Sequence, residues 1–568
     1  MKKFFLKNKA VLILFFIILL AFALRFYKLG EIPLGLNNDE TAIGYNAYSI
    51  GQTGRDEYGM FMPLYFRSFD DYKLPVYIYM TTLSEKAFGV NAFAVRFSSM
   101  FFGVITTLSL FLLIKELSKR SDLALLTSFL WAVNPWNIFF SRTGFEVNVA
   151  TALLVLGTLF FVKAFRTEKT NYLKLFLSLI FFIASLYSYN VARLASPLIL
   201  CMLIVINRRR FFRLSRSFLV SFAVAFIICI LPFILTLGSQ SGLTNQQGSV
   251  FITGFNEKAQ FLEFRSYFIN LPSIISILFL NKFILIVFTY LKNVLSFFSV
   301  NFFFINGANN PIDGIMNFGM FYFIELPFIL TGVYLGIKRK VKFLSIFYAW
   351  MVIVILLNAL TIEVPNATRS YMVIVPMVVF SAYGCLAIIE YLRSLSKRIQ
   401  IPIFTACLAI FLYSFAYFIG SYFVKFPVEF AKSWRAEDKA LVTFLMENQN
   451  KYNLIIFDKK ADFIYTALLF YLKYPPAEYQ KDASYQKNGL LNILAKVGKF
   501  EFKDVDWTKR SETKGPTLII ADPSVIQNNN YMLLTKFYFP TKPVVNVANG
   551  EIIAYPFTKP AYQVLETK

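Results

Sequence analysis

The sequence predicts a polytopic α-helical membrane protein that carries a C-terminal α/β domain on the extracytoplasmic side. Three observations lead there. The chain has 568 residues, 57% hydrophobic and 18% aromatic, and apolar runs of about 20 residues recur, the length that crosses a bilayer core. Its net charge of +24 falls in short basic clusters between those runs. After residue 424 the composition turns mixed and polar for roughly 145 residues, an ordinary domain size.

The basic clusters orient the spans. They are Lys2, Lys3, Lys7 and Lys9; Lys115, Lys119 and Arg120; Lys163, Arg166, Lys169 and Lys174; Arg208, Arg209, Arg210, Arg213 and Arg216; Lys338, Arg339, Lys340 and Lys342; and Arg393, Lys397 and Arg398. Positive charge marks cytoplasmic faces, so the charge reads as topology and not as a nucleic-acid surface. With the N-terminus cytoplasmic, eleven spans follow at 9–25, 94–114, 122–140, 145–163, 173–189, 191–206, 217–237, 318–337, 342–360, 369–391 and 400–422. The stretch 271–300 is broken by Pro272, Lys282 and Lys292. It either crosses twice, giving thirteen spans, or lies as an interfacial or re-entrant segment. Parity is the same, so residues 1–424 form the transmembrane domain and 425–568 a soluble extracytoplasmic one. Reading the first span as a signal peptide cleaved after Ala21-Phe22-Ala23 leaves that orientation unchanged. The expected location is a plasma membrane, crossed many times, with prokaryotic features.

In the soluble domain, 435–448 has a helical pattern, Tyr452–Asp458 and Thr517–Asp522 read as buried strands, and Val544–Val547 and Glu551–Tyr555 flank an Asn549-Gly550 hairpin turn. Asp504-Val505-Asp506 has the form of a metal-binding D-x-D, but its alternation with Phe502 and Trp507 fits the solvent face of an edge strand better. Cys201, Cys229, Cys385 and Cys407 all fall in predicted spans, where they behave as small hydrophobes. The chain has no histidine, so acid–base chemistry falls to carboxylates, Lys or Tyr. Neither a Walker loop nor a strand-anchored G-x-G-x-x-G occurs, and no ATP-driven pump is indicated.

Charges on the outer side carry the functional signal. Asp39 and Glu40 follow the first span, and Lys73, Arg96, Arg142, Arg193 and Arg369 lie at or near outer ends of spans, where positive charge is disfavoured. Charges at that depth pair with a partner or line a polar cavity. Some of these cations must pair with Asp39, Glu40, Asp70, Asp71 or Glu146. The others suit a lipid phosphate, which Arg meets with a bidentate fork and Lys with a point charge. Asp39-Glu40 also fits a plainer role, two carboxylates opening a helix over Thr41–Ile50. Glu146 likewise fits either an acidic site or a pair with Arg142 four residues earlier.

The runs Gly35-Leu36-Asn37-Asn38-Asp39-Glu40, Tyr45-Asn46-Ala47-Tyr48, Lys73-Leu74-Pro75 and Ala94-Val95-Arg96 resemble the start of the protein O-mannosyltransferase and aminoarabinose-transferase superfamily, membrane glycosyltransferases of the GT-C fold. Asn134-Pro135, Ser141-Arg142 through Glu146, Tyr187-Ser188-Tyr189, Ala192-Arg193-Leu194, Glu325-Leu326-Pro327 and Thr368-Arg369 before Pro376 are similar to its later landmarks, covering roughly residues 10–425 in order. The resemblance implies inverting transfer of a sugar from a polyprenyl-phosphate donor to a protein, lipid or glycan acceptor at the outer face. It places Asp39 at the reaction centre, with Glu40 in support, Glu146 as a second acidic landmark, and Lys73, Arg96, Arg142, Arg193 and Arg369 as donor-phosphate ligands.

A hydroxyl acceptor must lose its proton as it attacks, so a carboxylate serves as general base, and cations stabilise the phosphate that leaves from the opposite side. Where relatives carry an acid before the lysine this chain has Tyr72, and Asn366 stands where they often have histidine. Both departures speak against zinc. No cofactor is identified with certainty, and a carboxylate-bound Mg²⁺ or Mn²⁺ is compatible with the residues but not demanded by their spacing. The loops 26–93, with amphipathic helical stretches, and 238–317 are expected to frame a donor cavity, the second as a lid or as a plain linker. The alternative class is a transporter or flippase of a lipid-linked substrate, which intramembrane charge also marks, though the matched broken helices of inverted repeats are not found.

Overall fold

The computed structural model describes residues 2–68, 71–237, 282–459, 465–488, 491–507, 516–524, 531–539, 544–545, 552–554 and 559–567. Among them, seven helices are long and apolar enough to cross a membrane: Lys9–Phe26, Ala92–Ser118, Glu146–Ala164, Arg216–Leu235, Phe283–Ile305, Ala367–Leu392 and Lys397–Glu429. The chain is a multi-pass membrane protein. All but Phe283–Ile305 coincide with predicted spans, and that helix falls in the segment with two readings, whose first part, 271–281, lies outside the described residues.

The other predicted spans form shorter apolar helices: Ser121–Val133, Tyr172–Leu186, Ala192–Ile206, Glu325–Lys338 and Leu344–Asn358. Their boundaries depart from the sequence reading for local reasons. The predicted span 122–140 breaks because Asn134 adopts an extended backbone and its side chain accepts from Asn137 N–H, which starts a second short helix with Pro135 in its first turn. Proline is favoured there because its missing N–H would have no helical partner.

The chain divides into two compact units. One comprises Met1–Arg25, Phe101–Ser141 and Phe145–Ala416, and the other Phe26–Met100, Arg142–Gly144 and Tyr417–Lys568. The second unit thus joins the first loop to the mixed polar tail. Its loop portion contains the helices Asn38–Thr53 and Pro75–Phe88 and a small antiparallel pair, β1 (Phe66–Ser68) and β2 (Asp71–Lys73). Asp70 lies outside the described residues.

The tail is built on seven strands: β3 (Leu454–Asp458), β4 (Ser484–Asn488), β5 (Leu491–Val497), β6 (Phe500–Lys503), β7 (Thr517–Ala521), β8 (Tyr531–Phe539) and β11 (Lys559–Thr567). They run in the order β4-β5-β6-β3-β7-β11-β8. Central β3 pairs in parallel with both β6 and β7, and β11 is antiparallel to both its neighbours. The helix Asp438–Asn448 and strands β3 and β7 stand where the sequence pattern put them. A separate antiparallel pair, β9 (Val544–Val545) with β10 (Ile552–Ala554), brackets the predicted hairpin, whose Asn549-Gly550 turn is outside the described residues. The expected edge strand at Asp504–Asp506 is corrected. These residues follow β6, an interior strand, and Asp504 lies exposed 3.7 Å from Lys459.

Loop and tail share one hydrophobic core, in which Leu36, Tyr45 and Val95 pack with Leu441, Ile455, Phe457, Leu468, Leu518 and Val564. The approach is close enough to need glycine at two points. A Cβ on Gly35 would lie 1.9 Å from the Trp434 carbonyl oxygen, and one on Gly44 would lie 2.4 Å from the Phe470 ring.

Glu57 is sealed into the same unit. Its carboxyl accepts from Tyr465 Oη at 3.3 Å and Ser68 Oγ at 3.4 Å, and burial, reinforced by neighbouring Asp56, pushes its pKa up to about 8. Folded protein therefore holds a proton that the unfolded chain releases near 4.5. Stability from this group is present below that value and falls as pH rises towards about 8. In purified protein, Tm is expected to decline between about pH 5 and about pH 8, and Glu57→Gln, which cannot ionise, should flatten that decline. An unchanged slope in the variant would contradict the protonated carboxyl.

Candidate active site

The acidic pair opens the helix Asn38–Thr53. Asn37 caps it by accepting from Glu40 N–H at 2.9 Å, and Glu40 Oε2 accepts from Asn37 N–H at 3.2 Å, a reciprocal capping box. This arrangement satisfies two backbone donors that a helix start leaves unpaired. Asp39, one position earlier, sits in the same first turn, where the helix dipole favours negative charge. The two neighbours then diverge in environment.

Glu40 is buried and held by Arg96. Arg96 Nε donates to Glu40 Oε1 at 2.8 Å and Nη2 to Oε2 at 3.0 Å, with side-chain exposures of 0% and 1%. The guanidinium also donates to the carbonyls of Leu29 at 3.2 Å, Pro33 at 3.0 Å and Gly35 at 2.5 Å, and lies 5.8 Å from the Trp434 ring. An Arg side chain has five N–H groups, and these contacts use all of them. Glu40 Oε1 takes one more bond, from Gly144 N–H at 2.7 Å. Arg96 therefore has no donor left for a phosphate, and Glu40 has no face open to substrate. Both serve to fix the loop.

Asp39 is different. Its carboxylate is half-exposed and bonds Lys73 Nζ at 2.5 Å, while the lysine is 7% exposed. Lys73 ends β2, and Pro75 begins the next helix two residues on. A charge-assisted bond of this kind orients both partners. Arg142 belongs to the same unit. It is buried, with Nε 3.3 Å from Tyr422 Oη and its guanidinium 4.7 Å from the Phe423 ring.

The remaining predicted residues lie in the other unit. Glu146 begins the helix Glu146–Ala164. Arg193, in the first turn of Ala192–Ile206, is buried with its guanidinium 5.2 Å from the Phe233 ring. Arg369 stands in the short helix Ala367–Ser370, where Asn366 caps by accepting from Arg369 N–H at 3.0 Å. Its Nη1 donates to the Ile362 carbonyl at 2.6 Å, and it makes no ion pair among the described residues. Asp313, which no sequence signal singled out, accepts from Thr368 Oγ1 at 2.6 Å and Asn366 Nδ2 at 3.4 Å. Tyr189 lies within electrostatic reach of Arg369, Glu146 and Asp313. Among the described residues no cluster of three or more acidic or cysteine side chains forms a metal site.

A model of the dolichyl-phosphate-mannose-protein mannosyltransferase family matches residues 73–235. The crystal structure of apo ArnT from Cupriavidus metallidurans superposes with a TM-score of 0.53 at 10% identity, over 99% of this chain and 98% of that one. The fold is GT-C. The same enzyme bound to undecaprenyl phosphate gives 0.52 at 10% identity, over 98% of each chain. The archaeal oligosaccharyltransferase AglB from Archaeoglobus fulgidus, in complex with an inhibitory peptide and a dolichol-phosphate, gives 0.50 at 14% identity, over 82% of this chain and 64% of that one. No curated protein matches in sequence. At such identities the structural likeness concerns the GT-C fold, and the sequence resemblance to protein O-mannosyltransferases and aminoarabinose transferases stands with it.

Breaking a buried pair leaves a charge uncompensated, whereas replacing both members by apolar groups is often tolerated. Arg96→Met is expected to destabilise the protein by about 3–5 kcal/mol. The double change Glu40→Leu with Arg96→Met should cost clearly less than the sum of the single changes when unfolding is followed in detergent. Simple additivity would show that the two residues do not act as a unit.

Proposed function

We propose that the chain is a membrane glycosyltransferase that moves a sugar from a polyprenyl-phosphate donor to an acceptor hydroxyl, with Asp39 as general base. The observation that carries this reading is the contrast within the acidic pair. Glu40 is fully engaged by protein donors, and Asp39 alone presents a half-exposed carboxylate. A base must reach the proton it removes, so of the two only Asp39 is suited to the task.

Two further lines support it. The matched family model carries the description dolichyl-phosphate-mannose-protein mannosyltransferase, and the similar GT-C structures include one bound to undecaprenyl phosphate and one holding a dolichol-phosphate. Lys73, bonded to the base itself, orients Asp39 and does not stand on the leaving-group side, whereas Arg369, a cation with no acidic partner of its own among the described residues, suits the growing charge on a leaving lipid phosphate. The acceptor is defined by its chemistry, a hydroxyl on a protein, lipid or glycan.

Transfer from a polyprenyl-phosphate sugar by the purified protein in lipid tests the reading. Asp39→Asn should lower turnover by about 10²–10⁴-fold, the usual worth of a general base, and leave Tm and donor binding close to wild type. Full turnover in that variant would remove Asp39 from the mechanism. Arg369→Ala should weaken donor affinity, and wild-type affinity in that variant would refute the phosphate assignment.

A further inference from the structure

A cavity of about 480 Å³ opens at the connection between the helices Glu146–Ala164 and Tyr172–Leu186, lined by Lys163, Arg166, Lys169 and Lys174 together with Thr170 and Tyr172. The connection is fixed in place. Arg210 donates to the Phe165 carbonyl at 2.5 Å and the Thr167 carbonyl at 2.6 Å, and Asn171 N–H donates to the Ala164 carbonyl at 3.0 Å.

Charge in the cavity is unbalanced. Arg166 approaches Glu116 at 3.5 Å, but Glu116 already holds Lys119 at 2.7 Å. Lys163, Lys169 and Lys174 make no ion pair among the described residues. Directly beside this cavity an apolar stripe begins. Leu173, Phe176 and Ile180 are exposed by 66%, 50% and 43%, and a spacing of three and then four residues puts them on one helix face. Tyr172, exposed at the junction, has the amphipathic character of residues at a membrane–water boundary.

We propose that this is a binding site for an anionic glycerophospholipid. Its phosphate sits among Lys163, Lys169 and Lys174, and one acyl chain lies along Leu173, Phe176 and Ile180. Basic pockets at the ends of membrane helices recognise lipid head groups in this way. The stripe argues for a lipid over a soluble phosphate, because a free anion gains nothing from exposed Leu, Phe and Ile.

Native mass spectrometry of the purified protein, with phosphatidylglycerol, phosphatidylcholine or inorganic phosphate added, decides the matter. Wild type should retain phosphatidylglycerol in preference to phosphatidylcholine. The triple change Lys163→Gln, Lys169→Gln, Lys174→Gln should weaken retention about a hundredfold, while Lys338→Gln, Lys340→Gln, Lys342→Gln, which removes equal charge elsewhere, should not. Equal loss in both triples would reduce the effect to general charge attraction and overturn the site. So would equal binding of phosphatidylcholine, or displacement of the lipid by millimolar phosphate. If the first triple fails to fold, Lys169→Gln alone, at an exposed position, should still weaken retention, and wild-type retention there overturns the proposal.

Discussion

The Arg96–Glu40 ion pair is the constraint on which the candidate active site rests. It joins residues 56 positions apart and draws three backbone carbonyls of the first loop onto one guanidinium. Planar geometry and a full set of donors let Arg do this where Lys would not. Once the loop is gathered around Arg96, Asn37 can cap the helix, Gly144 N–H can reach Glu40, and Asp39 is left at the rim of the network with Lys73. A charge sealed inside the protein thus sets the position of one that remains accessible.

Composition divides the sequence near residue 424, because the tail is richer in polar residues than the spans before it. Packing divides it differently. Leu36, Tyr45 and Val95 belong to the same core as the strands of the tail, so the acidic motif is supported by residues almost the whole chain length away. The tail needs no catalytic constellation of its own to matter for the site. The backbone of Trp434 and Arg435 lies against Gly35, and Tyr45 of the helix Asn38–Thr53 packs into the tail core.

Much of this architecture was legible in the sequence. The long spans followed from apolar run length, and the central strands β3 and β7 from short apolar runs bounded by polar residues. The location of the acidic motif after the first span was also legible. Adjacent positions point in different directions, which already set Asp39 apart from Glu40 in the sequence, but the burial of Glu40 against Arg96 was not legible. One clue existed: Asn37 followed three residues later by Glu40 has the spacing of a capping box. Arg96 read as a phosphate ligand because its chemistry suits that use, and nothing local to residue 96 reveals that carbonyls at 29, 33 and 35 occupy its donors. The break at Asn134-Pro135 was written in the proline, yet hydropathy alone ran straight through it. Asp313 gave no signal, since an isolated acid in a long loop has no period or motif.

The strand order carries a consequence for how the protein is made. Strand β11 follows every other strand in the chain, yet it lies inside the sheet between β7 and β8, and its Tyr562 hydroxyl bridges Arg435 and Asp438 near the start of the tail. A ribosome delivering this chain into a membrane would release the Asp39 loop hundreds of residues before the strand that completes its supporting core. The loop's core is therefore incomplete until that strand has been made. A chain cut short before β11 would lack the strand between β7 and β8 and the Tyr562 hydroxyl that joins it to Arg435 and Asp438.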